Sequence, residues 1–107
     1  MADYDYVIVG GGSAGCVLAN RLTQDGNSRV LLLEAGGSDA SLLVRVPAAI
    51  VKLIGNPRYD WGFSVEPDPT RTGRSDYWPA GRVLGGSSSI NGMLYVRGAR
   101  ADFDGWA

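Results

Sequence analysis

The chain has 107 residues, with ten Lys+Arg against eleven Asp+Glu, no histidine and one cysteine. That length supports one small domain at most. Near-neutral charge excludes a nucleic-acid footprint and an acidic tail, and a lone cysteine excludes an intrachain disulfide. Sixteen glycines are about twice the usual ~7% share, and they cluster at 10–15, 36–37 and 81–92. Clustered glycine marks places where backbone geometry or close approach is required.

The opening Met1-Ala2-Asp3 has no basic segment and no cleavage site, and no apolar run approaches a membrane span. A cytoplasmic location, with no nucleic-acid or membrane partner, is expected. Tyr4 to Val9 is β-branched and aromatic and reads as a buried parallel strand. Gly10, Gly12 and Gly15 then satisfy G-x-G-x-x-G. A helix fits Ser13 to about Gln24, with Ala14, Leu18 and Leu22 on one face, and Asp25-Gly26-Asn27-Ser28 closes it. Arg29 to Glu34 is a second strand with Glu34 at its carboxyl end.

Strand, glycines, helix and an acid about 20 residues on form the context that makes the glycine pattern specific for a dinucleotide. Gly10 permits the tight turn, Gly12 a close approach to pyrophosphate, and Gly15 close helix–strand packing. The helix start offers N–H groups and partial positive charge. Glu34 can accept from a ribose diol and would repel a 2′-phosphate, so a bare NADP role is disfavoured. Cys16, in the first helical turn, reads as a small core residue.

Residues 35–39 read as loop. Pro47 suits the first position of a helix through about Leu53, stopped by Gly55-Asn56-Pro57. The aromatic group Tyr59, Trp61 and Phe63 is expected to be buried by packing. Pro67 to Arg74 reads as a surface turn with solvated arginines, and Tyr77-Trp78-Pro79 re-enters ordered structure.

"GRVLGGSSSIN", residues 81–91, is bracketed by Trp78-Pro79 and by Met93-Leu94-Tyr95-Val96. A flexible linker would have polar flanks and would not fix Leu84, Ile90 and Asn91. A loop leading into a short helix from about Ser87, presenting N–H groups and hydroxyls, explains the composition.

The stretch 81–91, continuing through Tyr95 and Gly98 to Asp104, resembles the first signature of the glucose–methanol–choline (GMC) flavoprotein oxidoreductases. "DYVIVGGGSAGCVLANRL" and "LLLEAGG" are similar to that family's FAD-binding start. "WPAGRVLGGSSSINGMLYVRG" looks most like its choline dehydrogenase-type and alcohol dehydrogenase members. The resemblance covers essentially the whole chain. It implies an α/β fold: a Rossmann-like FAD-binding βαβ with an additional helix and loops, in which residues 1–107 are the N-terminal part of an incomplete FAD domain.

It also implies that two turns, one near the start and one past position 80, converge on one FAD, and it implies roles. Gly10, Gly12, Ser13, Ala14 and Gly15 would surround the FAD pyrophosphate, and Glu34 the adenosine ribose. Val83 and Ser87 would line the flavin side of the cofactor, with Gly86 counted among the binding residues. Asn91, Gly92, Met93 and Leu94 would run beside the isoalloxazine and its attached chain. Arg82 would neutralise phosphate charge or form a surface ion pair. Some relatives carry, just before this asparagine, a histidine that bonds to the flavin; Ile90 stands here, so FAD is expected to be non-covalent.

Family members are several times longer. Their catalytic histidine lies near the far C-terminus, where it takes the hydroxyl proton while hydride passes from the alcohol carbon to flavin N5. With no histidine in this chain, the resemblance implies cofactor binding here and catalysis by residues of a longer polypeptide or a complementary chain. The alternatives are a non-redox relative (a hydroxynitrile lyase or a light-driven fatty acid decarboxylase) and an inert fragment that at most binds FAD. An NAD-dependent dehydrogenase shares the logic of the first 34 residues but gives no reason for 81–98. Two strands alone would leave open edges and an incomplete core.

Overall fold

A computed structural model of the chain describes residues 3–107. Strand β1 (Tyr6–Val9), helix α1 (Ser13–Leu22) and strand β2 (Val30–Leu33) follow one another as a βαβ unit. The strands pair in parallel with Tyr6 opposite Val30 and Val9 opposite Leu33. Such a register needs a crossover, and α1 supplies it. Thr23 ends the helix, and its hydroxyl donates back to the Ala19 carbonyl at 2.8 Å. Gly26, at φ +73, turns the chain toward β2. Asp5 ties the strand starts together by accepting the Arg29 N–H at 2.7 Å.

β1 is not buried as its composition suggested. Val7 and Val9 are 57% and 83% exposed, because a two-stranded sheet leaves one edge of each strand and most of its faces uncovered. The helix face shows the same: Leu18 is 51% exposed, and among α1 residues only Gly15 is buried. Cys16 is exposed rather than a core residue, its thiol donating to the Gly11 carbonyl at 3.2 Å.

After β2 the chain makes a short helix, α2 (Leu42–Arg45), which the sequence reading missed. A helix over Pro47–Lys52 follows, close to the extent expected from Pro47 to about Leu53, and it is of the 3₁₀ type. Pro47 occupies its first turn, where a missing N–H costs nothing. Strands β3 (Phe63–Ser64) and β4 (Tyr77–Trp78) then form a minimal antiparallel pair. The turn between them is built on Asp68, whose carboxylate accepts the Thr70 N–H at 2.8 Å. Arg71 and Arg74 are exposed there, and both pair with Asp76.

The core is small: Leu53, Tyr59, Val83 and Ile90, flanked by Leu43 and Val44. Tyr59 is buried as expected, and its hydroxyl reaches Ser41 Oγ at 2.9 Å. Trp61 and Phe63 are not. They stack on each other at 6.1 Å with 45% and 52% of their surface exposed. Tyr59 and Asp60 turn inward together at the 56–60 turn, and the aromatic pair beyond it is left on the open side. A last helix, α3 (Arg100–Asp104), carries Phe103, which meets Trp106 just beyond it edge to face at 5.6 Å, both exposed.

Candidate functional site

The two glycine turns meet. Gly85 donates its N–H to the Gly11 carbonyl at 2.7 Å, and Gly12 and Gly85 form an isolated parallel bridge. A Cβ on Gly86 would come within 3.0 Å of Gly12 Cα. The loop after β2 joins them. Leu84 donates to the Gly37 carbonyl at 2.9 Å, and a Cβ on Gly36 would overlap the Arg82–Val83 peptide. Three stretches of main chain, 10–12, 34–37 and 82–86, therefore lie against one another with almost no side chain between them. Only glycine permits such approach.

Glu34 holds this junction. One carboxylate oxygen accepts the Gly11 N–H at 2.7 Å and the other the Gly36 N–H at 2.8 Å. Each oxygen retains a lone pair for a further donor. Gly11, to which the sequence reading gave no role, thus bonds to both other stretches and is buried. Its signal was present only as the middle of three consecutive glycines. Gly36, Gly37 and Gly85 were visible likewise as glycine clusters, without an indication of what they touch.

Gly15 packs as anticipated, since a Cβ there would overlap the Gly10 carbonyl. Gly10 and Gly12 differ from it. Gly10, at φ +98, has no heavy atom within 4 Å of a virtual Cβ, and Gly12 has only Gly86 Cα, at 4.0 Å. Both face open space beside the start of α1. No side chain caps that helix start and its first turn carries no acid. Ser13 and Ala14 are exposed there, so the N–H groups of this ten-residue helix stay free for an anion.

The second turn corrects one expectation and narrows another. Val83 does not line an open surface: it is 0% exposed, inside the core, and its carbonyl accepts the Gly86 N–H at 2.7 Å. It supports the turn from beneath. Arg82 makes no ion pair among the described residues. Its guanidinium lies 4.9 Å over the Trp61 ring, with Nη1 donating to the Pro57 carbonyl at 3.4 Å. Stacking on an aromatic face is a common use of arginine, and the exposed Trp61 supplies that face.

The expected short helix is a 3₁₀ turn over Gly86–Ser89. Its hydroxyls brace the loop itself. Ser87 Oγ accepts the Gly81 N–H at 3.0 Å, Ser88 donates to the Gly85 carbonyl at 2.6 Å, and Ser89 donates to the Leu84 carbonyl at 2.8 Å. What the loop presents outward is chiefly main chain, with Ser87 exposed.

Asn91 to Leu94 are not drawn into the glycine junction. Asn91 Nδ2 donates to the Ser88 carbonyl at 2.9 Å while Oδ1 accepts the Met93 N–H at 2.7 Å. That side-chain turn holds Met93 at φ 52, a left-handed conformation uncommon outside glycine. Asn91 and Met93 line a cleft of about 240 Å³ with Val44, Val46, Pro47 and Ile50. Gly92 and Leu94 continue the strip; Met93 and Leu94 are 59% and 85% exposed.

An uncapped helix start, bare main chain at Gly10 and Gly12, and a carboxylate nearby suit a nucleotide with a pyrophosphate. Among the described residues no group of His, Cys, Asp and Glu could hold a metal, and no helix is long and apolar enough to cross a membrane.

Comparison with known proteins agrees with this geometry. A family model described as GMC oxidoreductase matches residues 4–107. An oxygen-dependent choline dehydrogenase of Vibrio vulnificus is 54% identical over 103 residues, 96% of this chain and 18% of that protein. An alcohol dehydrogenase [acceptor] of Pseudomonas putida is 50% identical over 96% of this chain and 19% of its own length. The crystal structure of pyridoxine 4-oxidase from Mesorbium loti superposes with a TM-score of 0.80 at 46% identity, over 97% of this chain and 20% of that one. A formate oxidase of Aspergillus oryzae, described with respect to its FAD modification, gives 0.77 at 36% identity over 96% of this chain and 18% of that one. The chain thus spans about a fifth of the length of the proteins it matches.

Proposed function

The chain belongs to the GMC oxidoreductase family, and from that premise we propose that it is the nucleotide-holding part of a flavoenzyme that oxidises an alcohol CH–OH group. The observation that supports this most directly is the backbone contact between the two glycine turns at Gly12 and Gly85. The relatives' names add the substrate class, since choline and pyridoxine are alcohols.

FAD, bound non-covalently, supplies a two-electron acceptor at flavin N5. The chain's own residues bind and orient it. Main chain at Gly10 and Gly12 admits the pyrophosphate, and the N–H groups of Ser13 and Ala14 at the uncapped helix start donate to it. Glu34 takes the ribose hydroxyls on the lone pairs its two backbone donors leave free. Gly86 and Ser87 bring the second turn against the first, and the Asn91–Leu94 strip lies toward the ring. Ile90 carries no nucleophile and is 4% exposed, so no flavin bond forms through it. Arg82, stacked on Trp61, contributes loop geometry rather than charge at the phosphates.

A base within hydrogen-bond reach of the substrate hydroxyl is required for the oxidation. This chain has no histidine, and among the described residues we assign no substitute. The base belongs to the remainder of the polypeptide or a complementary chain. The test is anaerobic titration of the full-length, FAD-loaded protein with a panel of primary alcohols including choline. Bleaching of the visible flavin band is expected; bound FAD left oxidised by every alcohol would favour the lyase or decarboxylase alternative, and an apoprotein that takes up no FAD would overturn the cofactor reading.

A further inference from the structure

Asp60 is the buried charged residue among those described, 3% exposed, and the cofactor site makes no use of it. A carboxylate withdrawn from water costs several kcal/mol unless its oxygens are satisfied. Four donors satisfy it. Oδ1 accepts the N–H groups of Gly62 at 3.0 Å and Ala80 at 2.9 Å. Oδ2 accepts the Gly55 N–H at 2.9 Å and the Tyr77 hydroxyl at 2.6 Å.

Two of these donors close local turns. The other two reach 17 and 20 residues along the chain, and Ala80 immediately precedes the second glycine turn. The same segment is gripped twice more. Trp61 donates to the Ala80 carbonyl at 2.9 Å, and Arg82 donates to the Tyr59 carbonyl at 2.7 Å. Leu84 and Gly85 then bond to Gly37 and Gly11. Hydrogen bonds at Ala80, Arg82, Leu84 and Gly85 thus run along one segment from the Asp60 clamp to the junction of the two turns.

We propose that Asp60 is a positioning residue of the cofactor site: by holding Ala80 and Tyr77 it fixes where the 81–86 turn meets the 10–12 turn, and so sets FAD affinity without touching FAD. The inference rests on the FAD reading of those turns. Asparagine separates positioning from mere charge. With its oxygen toward Gly62 and Ala80 and its NH₂ donating to Tyr77, only the Gly55 N–H loses its partner. The opposite orientation strands both Gly62 and Ala80, so the first is preferred. Asp60→Asn therefore keeps the carboxamide link to Ala80, and Asp60→Ala loses every side-chain link, leaving only the main-chain bonds at Trp61 and Arg82.

The experiment uses the full-length protein and two readouts: FAD affinity by flavin fluorescence quenching, and amide hydrogen exchange of the apoprotein. Asp60→Ala should weaken FAD binding by about tenfold or more, in line with several stranded donors. It should speed exchange at Leu84 and Gly85 while Val30 to Leu33 keep their protection. Asp60→Asn should stay within about threefold of wild type, with new exchange at Gly55 and not at Ala80. If the alanine variant does not fold, the asparagine variant decides: a tenfold loss of affinity with Ala80 still protected overturns the inference. Wild-type affinity in Asp60→Ala, or exchange that rises equally in the strands and the turn, overturns it as well. A wild-type protein that does not bind FAD overturns the cofactor reading and this inference together, whereas FAD binding unaffected by Asp60→Ala overturns the inference alone.

Discussion

Gly12 and Gly15 stand three positions apart in one motif, yet different forces hold them. At Gly15 a methyl group would run into the Gly10 carbonyl, which cannot move without breaking the turn. Gly15→Ala should therefore cost about 1–3 kcal/mol of stability, read from denaturant midpoints of the full-length protein. Gly12 has an ordinary φ of −77° and an open neighbourhood. Gly12→Ala should cost no more than about 1 kcal/mol, the usual penalty for alanine at a helix cap. Its effect belongs to the ligand: a methyl group where pyrophosphate must approach should weaken FAD by about tenfold or more. If Gly12→Ala bound FAD normally, the first turn would not be the phosphate site. Glu34 combines both demands. In Glu34→Gln one oxygen remains to accept while the NH₂ faces an N–H, leaving one backbone donor stranded. A loss of about 1–3 kcal/mol in unfolding free energy, with weaker FAD binding, is the expected result.

At the scale of elements, the links between them matter more than their lengths. β3 and β4 are two residues each, and the clamp at Asp60 joins their flanks. Burial pushes the Asp60 carboxyl up, but donation from Gly55, Tyr77, Gly62 and Ala80 outweighs it and holds the pKa at about 2 against an ordinary 3.8. A group depressed in the folded state contributes stability that is complete above its unfolded pKa and lost as pH falls through the folded one. The gap corresponds to about 2 kcal/mol, lost between about pH 4 and pH 2. Stability measured by denaturant across that window should fall in the wild type, and the fall should be shallower in Asp60→Asn. Equal slopes would mean that the carboxylate is not held as described. None of this was legible in the sequence, because Asp60 finds its partners 17 and 20 residues away and nothing local marks it. The βαβ unit was legible because each of its signals is local: a β-branched run, glycines at fixed spacing, a 3.6-residue period and an acid after β2. Composition marked two glycine-rich turns, but that they converge was legible only through the family resemblance, since nothing local says what either turn touches. Burial was the part that failed. Val7, Trp61 and Cys16 are apolar in type, but whether they are covered depends on neighbours that this stretch of chain does not place over them. Val83 failed in the opposite sense, drawn under the turn by packing against Leu53, Tyr59 and Ile90.

Taken whole, the molecule is too open for its length. A compact chain of this size has a radius of gyration near 13 Å, whereas this one measures 17.6 Å with extents of 54 × 38 × 26 Å. Large apolar side chains face outward along it: Val7 and Val9 on β1, Leu18 on α1, Trp78 on β4, and Leu94, Tyr95 and Val96 at 83–95% exposure. A parallel pair such as β1–β2 is stable when covered on both faces and extended at its edges. Neither condition is met by residues 3–107, and four core side chains do not offset the conformational entropy of ordering a hundred residues. Expressed alone, the 107-residue polypeptide should bind a hydrophobic dye, show low protection from hydrogen exchange in β1 and β2, and associate as concentration rises. Light scattering behind size exclusion reads the last of these, with the full-length protein as reference. A dye-silent monomer with cooperative unfolding would show that the exposed strips close on one another in solution, and the glycine junction would then need a different arrangement around it. Addition of FAD should not rescue the isolated polypeptide, because the ligand couples the two turns but covers neither the strands nor the 94–96 strip.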